Sequence, residues 1–296
     1  MQAHDLSTAD RAAPSFVPHW TFEPWVVALL LASLGLYGLG YLRLRTRGRR
    51  GRVVRARQLA AFGLGWLALV AAFASPLDAL SAALFSAHMV QHELLMIVAA
   101  PLLVLGRPLA LWLWALPPRS RHAIGAAVRT RAWRGIWRVL CRPAVAWLLH
   151  AAALWAWHMP RLFEAALASP GLHALQHASF LLSALLFWWT VFGEAARRNE
   201  SGYAMLSLFT TMVHTGALGA LLTLAPGLWY PAYVEPASAL GVDPLLDQQL
   251  GGLVMWVPGG LAYLLAALMT GARWLMRGAP AALVSNGVAA HRDGAS

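Results

Sequence analysis

The sequence predicts an all-α membrane protein, a bundle of seven transmembrane helices with a periplasmic N-terminus and a cytoplasmic C-terminus. Its composition and the positions of its arginines support this fold class. Of the 296 residues, 59% are hydrophobic and only 12% are charged, whereas a soluble surface needs about 25–35% charged residues. This chain must therefore use lipid as part of its solvent. A soluble enzyme and a nucleic-acid-binding domain are excluded despite the net charge of +11.

Seven apolar runs approach the roughly 20 residues that a helix needs to cross the hydrocarbon core. The predicted spans are Pro24–Leu42, Leu59–Ser75, Ser81–Leu105, Ala144–His158, Leu172–Gly193, Tyr203–Ala225 and Leu250–Gly271. The fourth is short. These spans predict three regions, an extracytoplasmic tail at 1–23, a membrane domain at 24–272 and a cytoplasmic tail at 273–296.

Arginine positions orient the predicted bundle. All 23 basic residues are Arg, and only Arg11 and Arg161 lie on the side of the N-terminus. Positive residues stay cytoplasmic, so the protein is predicted to lie in a bacterial inner membrane with its C-terminus inside. The loop Arg119–Leu140 alternates Arg with apolar residues and is predicted to form a helix on the inner leaflet, in contact with anionic lipid.

Seven of the eleven histidines lie within spans or at span ends. They are His88, His92, His150, His158, His173, His177 and His214. Polar side chains are costly in a bilayer and usually face the bundle interior, so they indicate a functional site. His88/His92 and His173/His177 have i,i+4 spacing, which places two imidazoles on one helix face. We expect these rings to converge in one pocket in the outer half of the membrane.

The side chains around these histidines suggest a metal. Imidazole suits copper, zinc, iron and nickel, and nearby methionines favour Cu(I). These are Met89, Met96, Met159, Met205 and Met212. The single cysteine, Cys141, is predicted to be cytoplasmic and too far away to bind this metal.

Polar and aromatic residues beside the histidines have predicted roles as well. Glu93 is a candidate ligand, proton carrier or hydrogen-bond acceptor for an imidazole, and Gln176 is a candidate to orient His173 or His177. Asp78 and Asp247, on the outer side, make the entrance attractive to cations. The loop residues Trp229, Tyr230 and Tyr233 are typical of the aromatic belt at a membrane interface.

Four other interpretations of the histidines remain open at this stage. They are helix–helix hydrogen bonding, a proton relay, a haem site and a membrane di-metal oxygenase. Paired i,i+4 histidines also occur in desaturase-like oxygenases, but those sites are cytoplasmic. Haem ligation needs ligands on facing helices. No nucleophile–base constellation is present, so we expect a metal-handling factor and not an enzyme.

Five motifs occur in an order that resembles the CtaG-like assembly factors of caa-type cytochrome c oxidase, a family of integral membrane proteins. They are HMVQHELLMIVAAPLLVLGRPL from His88, WHMPRLFEAAL from Trp157, LHALQHASFLLSALLFWW from Leu172, LTLAPGLWYPAY from Leu222 and DPLLDQQLGGLVMWVPGG from Asp243. The resemblance covers roughly Trp25 to Ala272. It is distinct from the single-span periplasmic copper chaperones that share the family's name in some bacteria.

The resemblance implies help in forming the oxidase copper centre, by binding or handing over copper at the outer face. It implies oxidase subunits, and by extension periplasmic copper chaperones, as partners. The matching positions are His88, His92, His158, His173, His177 and Asp247, with His214 in the matching sixth span and His150 the least secure. Two positions depart from the pattern. Glu93 replaces an apolar residue, and Gln176 replaces an acidic one.

Overall fold

The computed structural model describes residues 19–45, 52–193 and 201–290, and within these ranges the chain is helical without strands. The helices are α1 Pro24–Arg45, α2 Arg52–Phe73, α3 Pro76–Ser81, α4 Phe85–Glu93, α5 Ala100–Gly106, α6 Pro108–Ala115, α7 Pro118–Val128, α8 Arg131–Leu140, α9 Pro143–His158, α10 Pro160–Ala168, α11 Pro170–Phe192, α12 Ser201–Thr223, α13 Val234–Ala239, α14 Pro244–Val254 and α15 Gly260–Ala290. A π-helical segment, Leu94–Ala99, joins α4 to α5, and a second, Met255–Gly259, joins α14 to α15.

Six helical stretches in these ranges are long and apolar enough to cross a membrane, and a bent pair of helices makes a seventh candidate. The six are Pro24–Leu44, Ala56–Phe73, Phe85–Gly106, Pro170–Phe192, Gly202–Thr223 and Pro244–Met276. The all-α prediction and six of its spans are therefore confirmed, and the chain is a multi-pass membrane protein. The last helix continues beyond Ala272, the predicted end of the membrane domain, to Ala290.

The fourth predicted span is half of the bent pair. Helix α9 has 16 residues, about 24 Å at 1.5 Å per residue, which is shorter than the roughly 30 Å hydrocarbon core. It is long enough to cross a membrane only together with α8, from which it is bent by 68°. The short predicted span Ala144–His158 thus corresponds to α9 alone.

The predicted single helix over Arg119–Leu140 is wrong, because the structure divides it into α7 and α8. The break lies at Thr130, whose backbone is extended and whose side chain caps α8 by accepting a hydrogen bond from the Trp133 N–H. An N-cap threonine satisfies a donor that a helix start leaves unpaired, so the chain stops one helix and begins another here. The Trp137 ring of α8 meets Trp189 of α11, with ring centroids 6.3 Å apart.

The helix of the third predicted span begins at Phe85 rather than at Ser81. Leu84 is extended, and the separate helix α3 precedes it. Asp247 of α14 caps α4, since Oδ2 accepts the Phe85 N–H at 2.6 Å while Oδ1 accepts from the Ser86 hydroxyl. A carboxylate at a helix N-terminus pairs with unsatisfied N–H groups and with the positive end of the helix dipole. The start of the third span is therefore fixed by a capping side chain that lies 162 residues away in the sequence.

Each π-helical segment is associated with a proline. Pro101 follows Leu94–Ala99 closely and Pro258 lies within Met255–Gly259. Proline lacks an N–H and its ring clashes with the carbonyl four residues earlier, which widens or breaks the helix. The indole N–H of the buried Trp188 donates to the Met96 carbonyl at 2.8 Å, so a neighbouring helix pairs a carbonyl within the first π-helical segment.

Two glycines bring α12 and α14 into backbone contact. A Cβ on Gly219 would lie 2.7 Å from the Gly252 carbonyl oxygen, and one on Gly252 would lie 2.6 Å from the Thr223 nitrogen. Small residues allow this close approach, as is common between membrane helices. The contact holds α14, and with it Asp247, at a fixed distance from the rest of the bundle.

Helix α1 is held at the edge of the bundle mainly by α6. The Trp112 indole donates to the Ser33 carbonyl at 3.0 Å, and the Arg43 guanidinium donates to the Ala115 carbonyl at 2.6 Å. We call the end of the bundle with α3, α10 and residues 226–243 the histidine end. The opposite end, with α6, α7, α8 and the start of α2, is the arginine end.

We predict that Asp247→Asn destabilises the protein by about 1–3 kcal/mol, because an amide has one acceptor oxygen and brings N–H groups towards the donors of Phe85 and Ser86. Thermal unfolding of the full chain in detergent measures this. Asp243→Asn is the matched control. Asp243 is an exposed N-cap of α14, where asparagine caps as well as aspartate. Equal loss of stability in the two variants would contradict the role of Asp247.

Candidate metal site

Five of the seven predicted histidines form one contiguous group at the histidine end. His88 and His92 come from α4, His158 ends α9, and His173 and His177 come from α11. The ring centroids are 4.3 Å apart within each i,i+4 pair, 5.7 Å between His88 and His177, and 6.0 Å between His92 and His158. The predicted convergence of rings from separate helices is thus present for these five.

Three of the five have the geometry of a metal site. His88, His173 and His177 each offer a ring nitrogen, and the three nitrogens lie within 4.8 Å of one another. Imidazole nitrogens about 2.1 Å from a metal are about 3.4–3.6 Å apart, so small rotations of the rings would complete a site. We call these residues the histidine triad.

The hydrogen bonds of His88 indicate which of its nitrogens is free. The Tyr233 hydroxyl lies 3.1 Å from both the Ser81 carbonyl and His88 Nδ1. The carbonyl only accepts, so Tyr233 donates to it and accepts from Nδ1–H, which leaves the lone pair on Nε2. Burial raises the pKa of the Tyr233 hydroxyl well above its usual value, and the hydroxyl therefore keeps the proton that this arrangement needs.

The Nε2 atoms of the triad are all buried and without hydrogen-bond partners among the described residues. His88 is 1% exposed and His177 is 7% exposed, whereas His173 is partly exposed. A buried nitrogen without a partner is costly unless something else binds it. Three rings that each carry such a nitrogen, with ligating atoms within 4.8 Å of one another, fit a metal ion.

His158 and His92 lie beside the triad. His158 Nδ1 donates to the Leu154 carbonyl at 2.7 Å, so its free Nε2 carries the lone pair. His92 is 1% exposed and neither of its ring nitrogens has a partner in the described part of the chain. The His92 ring lies next to His177 and the His158 ring lies next to His92, so the two rings provide further nitrogens beside the triad.

Aromatic side chains surround the five histidines. Phe73 lies 5.4 Å from His177, Phe163 lies 5.2 Å from His88, and Phe180 lies 4.7 Å from His92, measured between ring centroids. These rings keep water from the inner side of the group. A low dielectric strengthens any interaction between the imidazoles and a cation.

The structure places His150 and His214 away from the triad. Ser183 donates to the Phe180 carbonyl and therefore accepts from His150 Nδ1 at 3.1 Å, while the Tyr263 hydroxyl donates to Nε2 at 3.3 Å. His150 is consequently fully paired, as expected for a structural histidine. His214 lies against Trp147, with ring centroids 5.6 Å apart.

Glu93 faces away from the triad, because neighbouring residues of a helix point in different directions. It is partly buried, and its Oε2 packs against Gly259 of the second π-helical segment, where a Cβ would lie 3.0 Å away. The Gln176 side chain is fully buried, and neither its oxygen nor its nitrogen has a hydrogen-bond partner among the described residues. The structure thus gives no hydrogen bond from Gln176 to His173 or His177.

The remaining predicted residues divide between the entrance and the core. Asp78 accepts from the Gln91 side chain at 2.8 Å and, with His173, lines a large cavity. Asp247 caps α4, a role that the sequence analysis did not identify. Met89 packs in an apolar cluster against Gly251, and Met212 packs near Gly260. The preference for Cu(I) over other metals therefore gains no support from these two methionines.

Two tyrosines contribute to the site although the sequence analysis placed them at the membrane interface. Tyr230 and Tyr233 are buried, and Tyr230 donates to the His158 carbonyl at 2.8 Å while Tyr233 pairs with His88. The tyrosines of the WYPAY segment could have been predicted to contact the histidines, since a buried tyrosine hydroxyl usually has a hydrogen-bond partner. The interface assignment of these two residues is wrong.

Comparison with known proteins identifies the family. Proteins described as uncharacterized from Mycobacterium bovis and Mycobacterium tuberculosis are each 29% identical over 244 residues, covering 80% of this chain and 36% of theirs. One from Mycobacterium leprae is 27% identical over 271 residues, covering 88% and 40%. The chain thus spans well under half the length of these curated relatives.

No solved structure matches the chain. The family model for the cytochrome c oxidase caa3 assembly factor (Caa3_CtaG) matches residues 35–277. This match includes α4, α9 and α11, which bear the five contiguous histidines. The chain belongs to the cytochrome c oxidase caa3 assembly factor family.

Proposed function

We propose that this assembly factor binds copper at the histidine triad and passes it to cytochrome c oxidase while the oxidase copper centre forms. Copper is the cargo, and the role includes no catalysed reaction. The observation on which the proposal depends is the triad itself, three imidazole nitrogens within 4.8 Å of one another. The imidazole ligands suit copper among other metals, and the family's place in oxidase assembly supports copper as the ion.

The chemistry of the ligand set supports transfer rather than permanent storage. Metal sites with three protein ligands leave a coordination position open, through which another ligand can attack. The His92 ring lies 4.3 Å from His88 and the His158 ring lies 6.0 Å from His92, measured between centroids, so a copper ion has further ligands within a short distance. Ligands exchanged one at a time keep the ion coordinated throughout its transfer.

Charge at the histidine end supports the entry of a cation. Three carboxylates, those of Glu23, Asp78 and Glu164, line the same cavity as the triad. Negative groups around a cleft with low-dielectric walls raise the local concentration of cations. We propose that copper enters between these carboxylates and that periplasmic copper chaperones deliver it there.

We expect the histidine end to face the periplasm, because arginines concentrate at the opposite end and positive residues stay cytoplasmic. A topology reporter fused after Ser296 measures this and should be active only in the cytoplasm. A reporter active only in the periplasm would show that the bundle has the opposite orientation, and it would support a cytoplasmic di-metal oxygenase instead.

We predict that replacing His88, His173 and His177 together by alanine abolishes copper binding, since all three ligands of the triad are lost. Purified protein is loaded with Cu(I) under reducing conditions, and the bound metal is measured by mass spectrometry. The matched control is the double variant His150→Ala/His214→Ala, which removes intramembrane histidines outside the triad and should keep its copper. Equal copper content in the two variants would refute the assigned site.

We also predict that cells lacking this protein accumulate oxidase subunits with deficient copper. The triad variant should fail to restore the copper content of the oxidase, whereas the His150/His214 variant should restore it. Metal analysis of purified oxidase is the measurement. An oxidase with full copper content in the absence of this protein would remove the assembly role and leave copper binding to be judged separately.

A further inference from the structure

A large apolar cleft runs between α1 and α11 and opens onto the histidine triad. Its volume is about 1550 Å³. Val26, Leu29 and Leu30 of α1 form one wall, and a stripe along α11 forms the other. That stripe is His173, Ala174, His177, Ala178, Leu181, Leu182, Leu185, Leu186 and Trp189.

The cleft is open to the side, towards lipid. Leu29 and Leu182, which line opposite walls, are 63% and 65% exposed. Helix α1 packs on α6 and α2, while α11 packs on α9 and α5, so the two walls belong to different parts of the bundle. The cleft is therefore a lateral groove in the membrane-facing surface.

The depth of the cleft exceeds one leaflet. From His173 to Trp189 the α11 wall rises about 24 Å at 1.5 Å per residue, whereas one leaflet of a roughly 30 Å hydrocarbon core is about 15 Å deep. A helix 10 Å across occupies about 1,900 Å³ over 24 Å, similar to the volume of the cleft. An object that crosses both leaflets thus fits better than a lipid from one leaflet.

The cleft wall is suited to a helix at the level of the triad. Ala174 and Ala178, which follow the two triad histidines of α11, have small side chains spaced four residues apart, and such positions allow close approach of a helix backbone. Independently, His88 and His177 line the cleft, and both are at least nine-tenths buried with an Nε2 that has no partner among the described residues. The groove therefore joins a helix-sized wall to the histidine triad.

We propose that the α1–α11 cleft receives one transmembrane helix of a cytochrome c oxidase subunit, which brings a metal-ligating side chain to the triad. The proposal rests on the proposed copper transfer. The incoming imidazole or sulfur ligand occupies the open coordination position, and copper passes to it within the membrane. Two lipids stacked tail to tail, or a second copy of this chain, are the competing occupants.

The test places a photoreactive phenylalanine derivative at Leu182 in the full chain, in cells that make the oxidase. Leu206 of α12 is the control, since it is 58% exposed and lies outside the residues that line the cleft. We expect Leu182, and not Leu206, to cross-link to an oxidase subunit, with the attachment mapped by mass spectrometry to a transmembrane segment. Cross-links only to lipid, only to a second copy, or to oxidase equally from both positions would overturn the proposal.

A second variant blocks the cleft far from the triad. Ala110→Trp puts an indole into the exposed arginine end of the cleft, and Ala32→Trp puts one on the exposed surface of α1 outside the lining residues. We expect Ala110→Trp to lose the Leu182 cross-link and Ala32→Trp to keep it, while both bind as much copper as the parent. Retention of the cross-link in Ala110→Trp would contradict the docking. If the parent protein binds no copper but still forms the Leu182 cross-link, the proposed function is refuted while the docking of the helix stands.

Discussion

A histidine nitrogen buried among aromatic side chains is costly unless it has a partner, and this cost shapes the histidine end of the protein. An unpaired buried polar group costs about 1–3 kcal/mol. The fold supplies Tyr233 for Nδ1 of His88 and the Leu154 carbonyl for Nδ1 of His158. Among the described residues it leaves the Nε2 atoms of His88, His173 and His177 without partners, in the three rings whose ligating nitrogens lie within 4.8 Å of one another. A cation bound between the three rings would relieve this cost.

The position of the triad depends on contacts far from it in sequence. Asp247 sets the first turn of α4, and the glycine contact between α12 and α14 sets the position of Asp247. The two proline-associated π-helical segments change the direction of the side chains that follow them. His88 and Glu93 both precede these segments in α4, and Glu93 faces Gly259 of the second segment instead of the triad.

The i,i+4 pairs were predictable because two residues four apart share a helix face whatever surrounds the helix. His150 and His214 also lie in apolar helices, so their sequence context resembles that of the triad. They lack a histidine four residues away, and their helix faces meet other neighbours, Ser183 and Tyr263 for His150 and Trp147 for His214. Tyr233 shows the converse. Its loop position suggested an interface, but the loop folds inward and its hydroxyl pairs with His88.

The number of apolar segments, their lengths and the arginine asymmetry are properties of short stretches of chain, so the sequence alone predicted a multi-pass helical protein with a set of intramembrane histidines. The rotation of each helix about its axis is not local. It depends on the hydrogen bonds from α4 to Asp247, on the glycine contact between α12 and α14, and on the hydrogen bond from the Trp188 indole to the Met96 carbonyl. Packing between helices decides the direction of each side chain in a bundle. For this reason only the tertiary structure shows which three histidine rings converge and that an open cleft lies beside them.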